Sequence, residues 1–200
     1  RQYRDVKYTR AAGLDYPELK DGSVTGVGIA VLHDTRNNLL TPLSGMYAFV
    51  NGTLNFAKNT YLDAVFDLRV YQTWQNKYTT ALRWYNEITA GSPPFFDYAL
   101  LGGDRFVRGY YSGRYRDKNL STLQLEFRFP VVWRFGMAAF GGVSNVFSDV
   151  QHLAMKDSKY NGGLGLRFMV DKKDRTNLRI DYAKGNGSNS GFYIAFGESF

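Results

Sequence analysis

The sequence contains no cysteine, which excludes a disulfide framework and a thiolate metal site. It has only two histidines, so imidazole groups for catalysis or metal binding are scarce. Long hydrophobic runs are also missing. The longest uncharged apolar patches, such as residues 137–143, are far shorter than the roughly 20 residues that a membrane-spanning helix requires. These absences exclude a helical membrane protein and a disulfide-stabilised domain.

Aromatic residues and glycine are abundant, with 15 Tyr, 15 Phe and 21 Gly, while the mean hydropathy is −0.35. This composition is typical of β proteins whose strands alternate apolar and polar residues, either soluble sandwiches or membrane barrels. The net charge is +7, but acidic residues interrupt each basic stretch. We therefore expect loops near anionic lipid headgroups, or merely solvated loops, and no nucleic-acid partner.

Alternation with a period of two runs through nine segments of roughly ten residues, separated by turn residues. The segments are 24–34, 45–57, 61–74, 77–89, 120–132, 134–146, 163–170, 177–183 and 191–200. Residues 1–22 form a lead-in, in which Tyr3–Arg10 is a candidate edge strand, and residues 90–119 form a long loop. The pattern predicts one all-β domain, an antiparallel sheet or barrel of about 8–10 strands.

Two features indicate that the polar faces line a lumen and the apolar faces meet lipid. The polar faces combine small residues with opposite charges, as in Asp67 with Arg69 and Glu126 with Arg128. Aromatic residues gather near the segment ends, as interfacial girdles do. These aromatic residues are Tyr61, Trp74, Tyr78, Trp133, Phe135 and Tyr182. Composition and alternation alone leave a soluble β-sandwich open as the alternative.

Residues 101–110 read Leu-Gly-Gly-Asp-Arg-Phe-Val-Arg-Gly-Tyr. This run resembles the Leu-Gly-Gly … Val-Arg-Gly-Tyr loop of the bacterial surface-antigen superfamily of outer-membrane assembly and secretion barrels. Residues 34–38 (Asp-Thr-Arg-Asn-Asn) are similar to a family turn, and residues 126–130 (Glu-Phe-Arg-Phe-Pro) to the strand after the loop. Phe200 is similar to the C-terminal aromatic signature of such barrels. Members include the BAM insertase, its TAM relative, two-partner secretion transporters and the barrels of patatin phospholipases.

The resemblance implies a transmembrane β-barrel whose long loop folds back and braces the lumen. The loop residues concerned are Gly102, Gly103, Val107, Arg108, Gly109 and Tyr110. The family supplies an Asp to the loop Arg from the strand that here spans 138–145, but Gly142 stands at that position. Arg108 therefore needs other acceptors, because an unpaired buried charge is costly. We predict that Glu126, with a contribution from Ser144, fills this role.

By the same resemblance, the chain is expected in the bacterial outer membrane, in the insertion or translocation of other polypeptides. Its expected partners are outer-membrane lipid and lipopolysaccharide, with other outer-membrane polypeptides or a second copy as candidate protein partners. The chain has fewer strands before the loop than the family barrels, so it resembles their C-terminal half without periplasmic modules. No cofactor or metal is expected.

Two other functions remain open at this point. One is a small accessory, anchoring or dimeric barrel without translocation activity. The other is an outer-membrane hydrolase that uses His33 or His152. The patatin active-site signatures are absent, and the glycines at 162–165 lead into a strand and not into a helix, so we do not expect an enzyme.

Overall fold

The computed structural model describes residues 2–6, 22–104, 106–149 and 157–200. Twelve strands and one short 3₁₀ turn (Phe95–Asp97) make up the regular structure of these ranges. The strands are β1 (Gln2–Val6), β2 (Gly22–Asp34), β3 (Gly45–Phe56), β4 (Tyr61–Trp74), β5 (Tyr78–Gly91), β6 (Ala99–Leu101), β7 (Tyr115–Asp117), β8 (Asn119–Val132), β9 (Phe135–Phe147), β10 (Lys159–Asp171), β11 (Thr176–Gly185) and β12 (Ser190–Phe196). No helix within the described ranges is long and apolar enough to cross a membrane.

Ten strands form one sheet in the order β1-β2-β3-β4-β5-β8-β9-β10-β11-β12, and every neighbouring pair is antiparallel. This architecture confirms the predicted antiparallel fold of about 8–10 strands. The predicted edge strand is present as β1, and the part of it at 7–10 lies outside the described residues. The loop at 90–119 has more structure than predicted, because β6 and β7 pair within it as a small hairpin.

The burial pattern of the sheet is inverted relative to that of a soluble protein. Large apolar side chains along the strands are exposed, for example Ile29 at 80% and Leu125 at 51%. Charged side chains on the opposite face are buried, with Glu126 and Asp181 both at 0% exposure. A soluble sandwich would place these two faces the other way round. The fold is therefore that of a transmembrane β-barrel, with an apolar outer face and a polar lumen.

Most of the predicted girdle aromatics lie on the outer face. Trp74, Trp133 and Tyr182 are more than half exposed. Tyr61 is the exception: it is 2% exposed, and its hydroxyl donates to the carboxylate of Asp97 on the lumenal side. The prediction that Tyr61 belongs to a girdle was wrong, because Tyr61 has the parity of the polar positions of β4.

The two ends of the sheet differ in the length of their connections. One end, which we call the hairpin end, carries the turns at 35–44, 75–77, 133–134 and 172–175. The other, the loop end, carries the connections at 57–60, 92–118, 148–158 and 186–189. Outer-membrane barrels have short turns on the periplasmic side and longer loops outside, so the loop end is the expected outer side.

The sheet curls so that, at the hairpin end, the residues after β12 contact the turn between β2 and β3. After β12, Gly197 has a φ of +77°, which turns the chain inward, and Glu198 N–H donates to the carbonyl of Leu40 over 2.7 Å. The Asn38 amide donates to the carbonyl of Asp174 over 2.9 Å, which joins a second pair of turns. Within the described residues no hydrogen-bonded ladder joins β12 to β1 or β2.

Candidate functional site

The loop between β5 and β8 enters the lumen from the loop end and turns back at a pair of glycines. Gly102 has a φ of +119°, and a Cβ there would lie 2.1 Å from the carbonyl oxygen of Tyr111. Gly103 N–H donates to the carbonyl of Tyr110 over 2.9 Å, which ties the start of the motif to its end. Both glycines have a positive φ, so a side chain at either position would strain the turn.

Val107 anchors the loop through apolar packing. Its side chain is fully buried in a cluster with Ala99, Leu101, Tyr110 and Leu120. This cluster is a small hydrophobic core inside a mainly polar lumen. It fixes the position of the neighbouring residue, Arg108.

Arg108 points from the loop into the wall of the barrel, and it is 1% exposed. One guanidinium nitrogen donates to Glu126 on β8, and the other donates to Asp181 on β11 over 2.5 Å. The guanidinium also stacks on the ring of Phe140, with its carbon 3.4 Å from the ring centroid. The Asn161 amide donates to the Arg108 carbonyl over 2.9 Å, so the backbone is held as well.

Arg108 belongs to a larger lumenal charge network, which consists of four arginines and four carboxylates. Its members are Arg108, Arg128, Arg167, Arg179, Asp104, Glu126, Asp181 and Glu198. Arg128 Nε lies 2.6 Å from Glu126, and Arg179 lies 2.7 Å from Asp181. Buried charges are tolerated when each has a close partner of opposite sign and the group as a whole is neutral. Since the charges of these eight side chains balance, the network satisfies both conditions.

Gly109 and Tyr110 hold the loop against β11 and β10. A Cβ on Gly109 would lie 2.9 Å from the backbone of Lys184, and Gly109 N–H donates to the hydroxyl of Tyr193 over 2.9 Å. The Tyr110 hydroxyl donates to the carbonyl of Tyr160 over 2.6 Å and accepts from the backbone N–H of Asn186 over 2.8 Å. Burial raises the pKa of the Tyr110 hydroxyl, so it stays a neutral donor.

Phe106 brings the loop into contact with β5, the strand that pairs with β8. Its ring packs edge-on against Tyr85 at a centroid distance of 4.5 Å, and the guanidinium of Arg83 lies 4.7 Å from its centroid. Arg83 is itself held by Asp67 over 2.8 Å. The loop therefore contacts the neighbouring strands β5 and β8 through Phe106 and Arg108, and Arg108 connects them to β11.

The loop also meets the tail that enters from the hairpin end. Ser199 Oγ donates to the carbonyl of Asp104 over 2.9 Å, and Arg128 donates to the carbonyl of Phe200 over 2.9 Å. Phe200 is 4% exposed and packs against Tyr71 and Ala81. The strand β12 ends at Phe196, four positions before the end of the predicted segment 191–200, so Phe200 turns inward and does not continue the apolar outer face.

The structure brings Arg108 and Glu126 together, but it does not bring Ser144 to Arg108. The Ser144 hydroxyl forms a hydrogen bond of 2.8 Å with Thr122, so the predicted contribution of Ser144 to Arg108 was wrong. The second carboxylate is Asp181, which alternation along the segment 177–183 places opposite the apolar residues Leu178, Ile180 and Tyr182, but which the sequence does not assign to Arg108. Gly142 has no room for the expected Asp, because a Cβ there would lie 2.9 Å from the backbone carbonyl oxygen of Leu123 and 2.9 Å from Asn161 Oδ1.

His33 forms no catalytic arrangement with the described residues. His33 is exposed on β2, and the carboxylate of the adjacent Asp34 is engaged by Arg36 over 2.7 Å. His152 lies outside the described residues. Across the described ranges, no group of three or more His, Cys, Asp or Glu side chains is placed to hold a metal ion.

Comparisons with known proteins agree with this geometry. A family model described as the Omp85 superfamily domain matches residues 11–200. The structure is similar to the crystal structure of BamA from Haemophilus ducreyi lacking POTRA domains 1–3, with a TM-score of 0.68 and 16% sequence identity. The match covers 88% of this chain and 42% of that chain, so this chain spans less than half the length of the solved one. No curated protein matches the sequence significantly.

Proposed function

The chain belongs to the Omp85 superfamily, and from this premise we propose that it forms an outer-membrane barrel wall that takes part in the insertion or translocation of other polypeptides. The observation that carries the proposal is the docking of Arg108 onto Glu126 and Asp181. Through this contact the loop holds the lumen in one shape while the outer face stays in lipid. The proposed location is the bacterial outer membrane.

The sheet edges supply the proposed mechanism. β1 pairs with residues 22–26 of β2, and no described strand pairs with the outer edge of β2 at residues 27–34 or with the outer edge of β12. An unpaired edge presents N–H and C=O groups to which an extended polypeptide can add as a further strand. At the hairpin end, the Glu198–Leu40 hydrogen bond joins the residues that follow β12 to the turn between β2 and β3. We propose that incoming strands pair at these edges while the loop network keeps the rest of the wall rigid.

The test is reconstitution of the purified chain into liposomes, followed by addition of a urea-unfolded outer-membrane β-barrel client. Insertion is measured as protease protection and heat-modifiable gel migration of the client over time. We expect faster insertion than into empty liposomes. Arg108→Ala is expected to remove the acceleration, because the loop loses its contact with both β8 and β11.

Arg114→Ala is the matched control, since Arg114 is an exposed arginine of the same loop that contacts Asn189. The control variant is expected to keep the acceleration. A chain that folds into liposomes, as shown by its own heat-modifiable migration, but gives no acceleration would contradict the proposal. That result would favour a small accessory or anchoring barrel.

A further inference from the structure

A cavity of about 340 Å³ opens at the hairpin end, between the lumen and the outer face. Its lumenal side includes Arg128 and Arg167, and its outer side includes Trp133 and Phe135. We call it the hairpin-end cavity. The turns that join β4 to β5, β8 to β9 and β10 to β11 all contribute to its wall.

The hairpin-end cavity is rich in positive charge that the described residues do not neutralise. Lys77, Arg134, Lys172 and Arg175 line it, and none of them forms an ion pair with a described carboxylate. Among the described lining residues Glu198 is the one carboxylate. Its oxygens already accept from Arg167 Nε over 2.7 Å and from Asn177 over 2.8 Å. The carboxylate therefore cannot also neutralise the lysines.

One buried donor of a lining residue also lacks a hydrogen-bond partner. Arg167 is 4% exposed, and its Nη2 atom has no hydrogen-bond acceptor in the structure. The Glu126 carboxylate lies 3.7 Å from that atom, which is beyond hydrogen-bond distance. Buried donors usually have a partner, so a bound acceptor is the simplest way to satisfy this one.

The aromatic side of the cavity places it at the membrane surface. Trp133 is 76% exposed and Phe135 47%, and both lie against Phe168, at centroid distances of 6.2 Å and 5.0 Å. Outward aromatics at strand ends mark the boundary between hydrocarbon and headgroups. The cavity thus joins a basic lumenal mouth to the headgroup layer.

We propose that the hairpin-end cavity binds the phosphate of an anionic phospholipid. The four unpaired cations and Arg167 face the phosphate, and the acyl chains leave over Trp133 and Phe135 onto the apolar outer face. Both halves of the ligand are needed: the cations select the anionic phosphate, and the aromatic rim selects the lipid chains. Basic pockets at membrane surfaces recognise anionic headgroups in this way.

The test uses tryptophan quenching by brominated phosphatidylglycerol. Trp74 and Trp84 are replaced by Phe, which leaves Trp133 as the reporter among the three tryptophans of the sequence. The full chain in phosphatidylcholine–detergent micelles is titrated with the brominated lipid. We expect saturable quenching at low mole fraction. In this background Lys77→Ala/Lys172→Ala is expected to weaken the apparent affinity about tenfold or more, from two lost surface charges.

Lys173→Ala/Lys184→Ala is the matched control, because both lysines are exposed and neither lines the cavity. It removes the same charge and is expected to change the affinity less than about twofold. Equal affinities in the two double variants would overturn the proposal. If inorganic phosphate displaced the brominated lipid as effectively as phosphatidylglycerol does, the ligand of the cavity would be a free anion and the lipid proposal would be wrong. If a peptide with a C-terminal Phe displaced the brominated lipid more strongly than phosphatidylglycerol does, the ligand would be a polypeptide and the lipid proposal would also be wrong.

Discussion

Removal of the Arg108 side chain tests whether the loop is held mainly by its charge contacts. In Arg108→Ala, Glu126 keeps Arg128 at 2.6 Å, and Asp181 keeps Arg167 at 2.5 Å and Arg179 at 2.7 Å. Neither carboxylate is left alone, so the cost should lie below the 3–5 kcal/mol that follows the breaking of an isolated buried pair. Loss of the stacking on Phe140 adds up to about 2 kcal/mol. We expect the free energy of unfolding to fall by about 3 kcal/mol.

A double-mutant cycle separates the Arg108–Glu126 contact from general damage to the lumen. Arg108→Ala, Glu126→Ala and the double variant are unfolded with urea in detergent micelles, and unfolding is followed by tryptophan fluorescence. Residues in one charge network should couple, so the double variant should lose about 1–3 kcal/mol less than the sum of the single variants. Arg108→Lys keeps the charge but cannot fork between two carboxylates, and it should recover part of the loss.

Arg114→Ala serves as the control in the same loop, and it should cost less than about 1 kcal/mol because this arginine is exposed. The reasoning would be refuted by a coupling energy below about 0.5 kcal/mol. It would also fail if Arg108→Ala were no more damaging than Arg114→Ala. Either result would mean that apolar packing around Val107 holds the loop without help from the charges.

Three further changes test the loop and the outer face. Gly109→Ala places a Cβ 2.9 Å from the Lys184 backbone at a φ of +101°, so it should undock the loop and expose it to protease, whereas Gly52→Ala, with open space around its Cβ, should leave cleavage unchanged. Tyr110→Phe removes a hydroxyl that is hydrogen-bonded to Tyr160 and Asn186, so it should lower the free energy of unfolding by about 1–2 kcal/mol and speed hydrogen exchange in the β11–β12 turn. Tyr111→Phe is the control and should not speed exchange, because Tyr111 is 66% exposed. Equal exchange in the two variants would argue against the hydroxyl contacts. Leu125→Arg in the middle of β8 should destabilise the chain folded in vesicles by about 2–4 kcal/mol, but Val132→Arg at the strand end by about 0–1 kcal/mol; equal losses would contradict the lipid-facing assignment.

Strict alternation let the sequence predict most of the sheet. The segment 61–74 coincides with β4, because every second residue from Leu62 to Val70 is apolar and turn residues flank both ends. β10 begins at Lys159, four positions before the predicted start, since Asn161, Gly162 and Gly163 interrupt the apolar pattern. At these positions hydrogen bonds to β9 and β11 keep the backbone in a strand. A local sequence pattern does not reveal those pairings.

The candidate site could be predicted in part for the same reason. The parity of β8 places Glu126 on the polar face, and the loop that carries Arg108 directly precedes that strand. Asp181 is 73 residues from Arg108 in the sequence, and its contact depends on how strongly the sheet curls. Ser144 has the correct parity as well, but Thr122 on the neighbouring strand takes its hydroxyl. Parity gives the face of a strand, but it does not give the partner across a lumen.

The second carboxylate that binds Arg108 lies on β11, whereas the family resemblance places it on β9. The loop is therefore attached to a different strand. At Gly142, the side chains of Asn161 and Gln124 and the carbonyl of Leu123 leave no space for a carboxylate on β9. Asp181 takes the role on β11, and β11 pairs directly with the edge strand β12 from Leu178 to Lys184. An Arg108 contact on β9 would be three strands away from that edge, whereas a contact on β11 is one strand away. Movement of the loop would therefore be transmitted through β11 to the edge strand β12. The charge network is thus connected to the edge at which we propose that an added strand pairs.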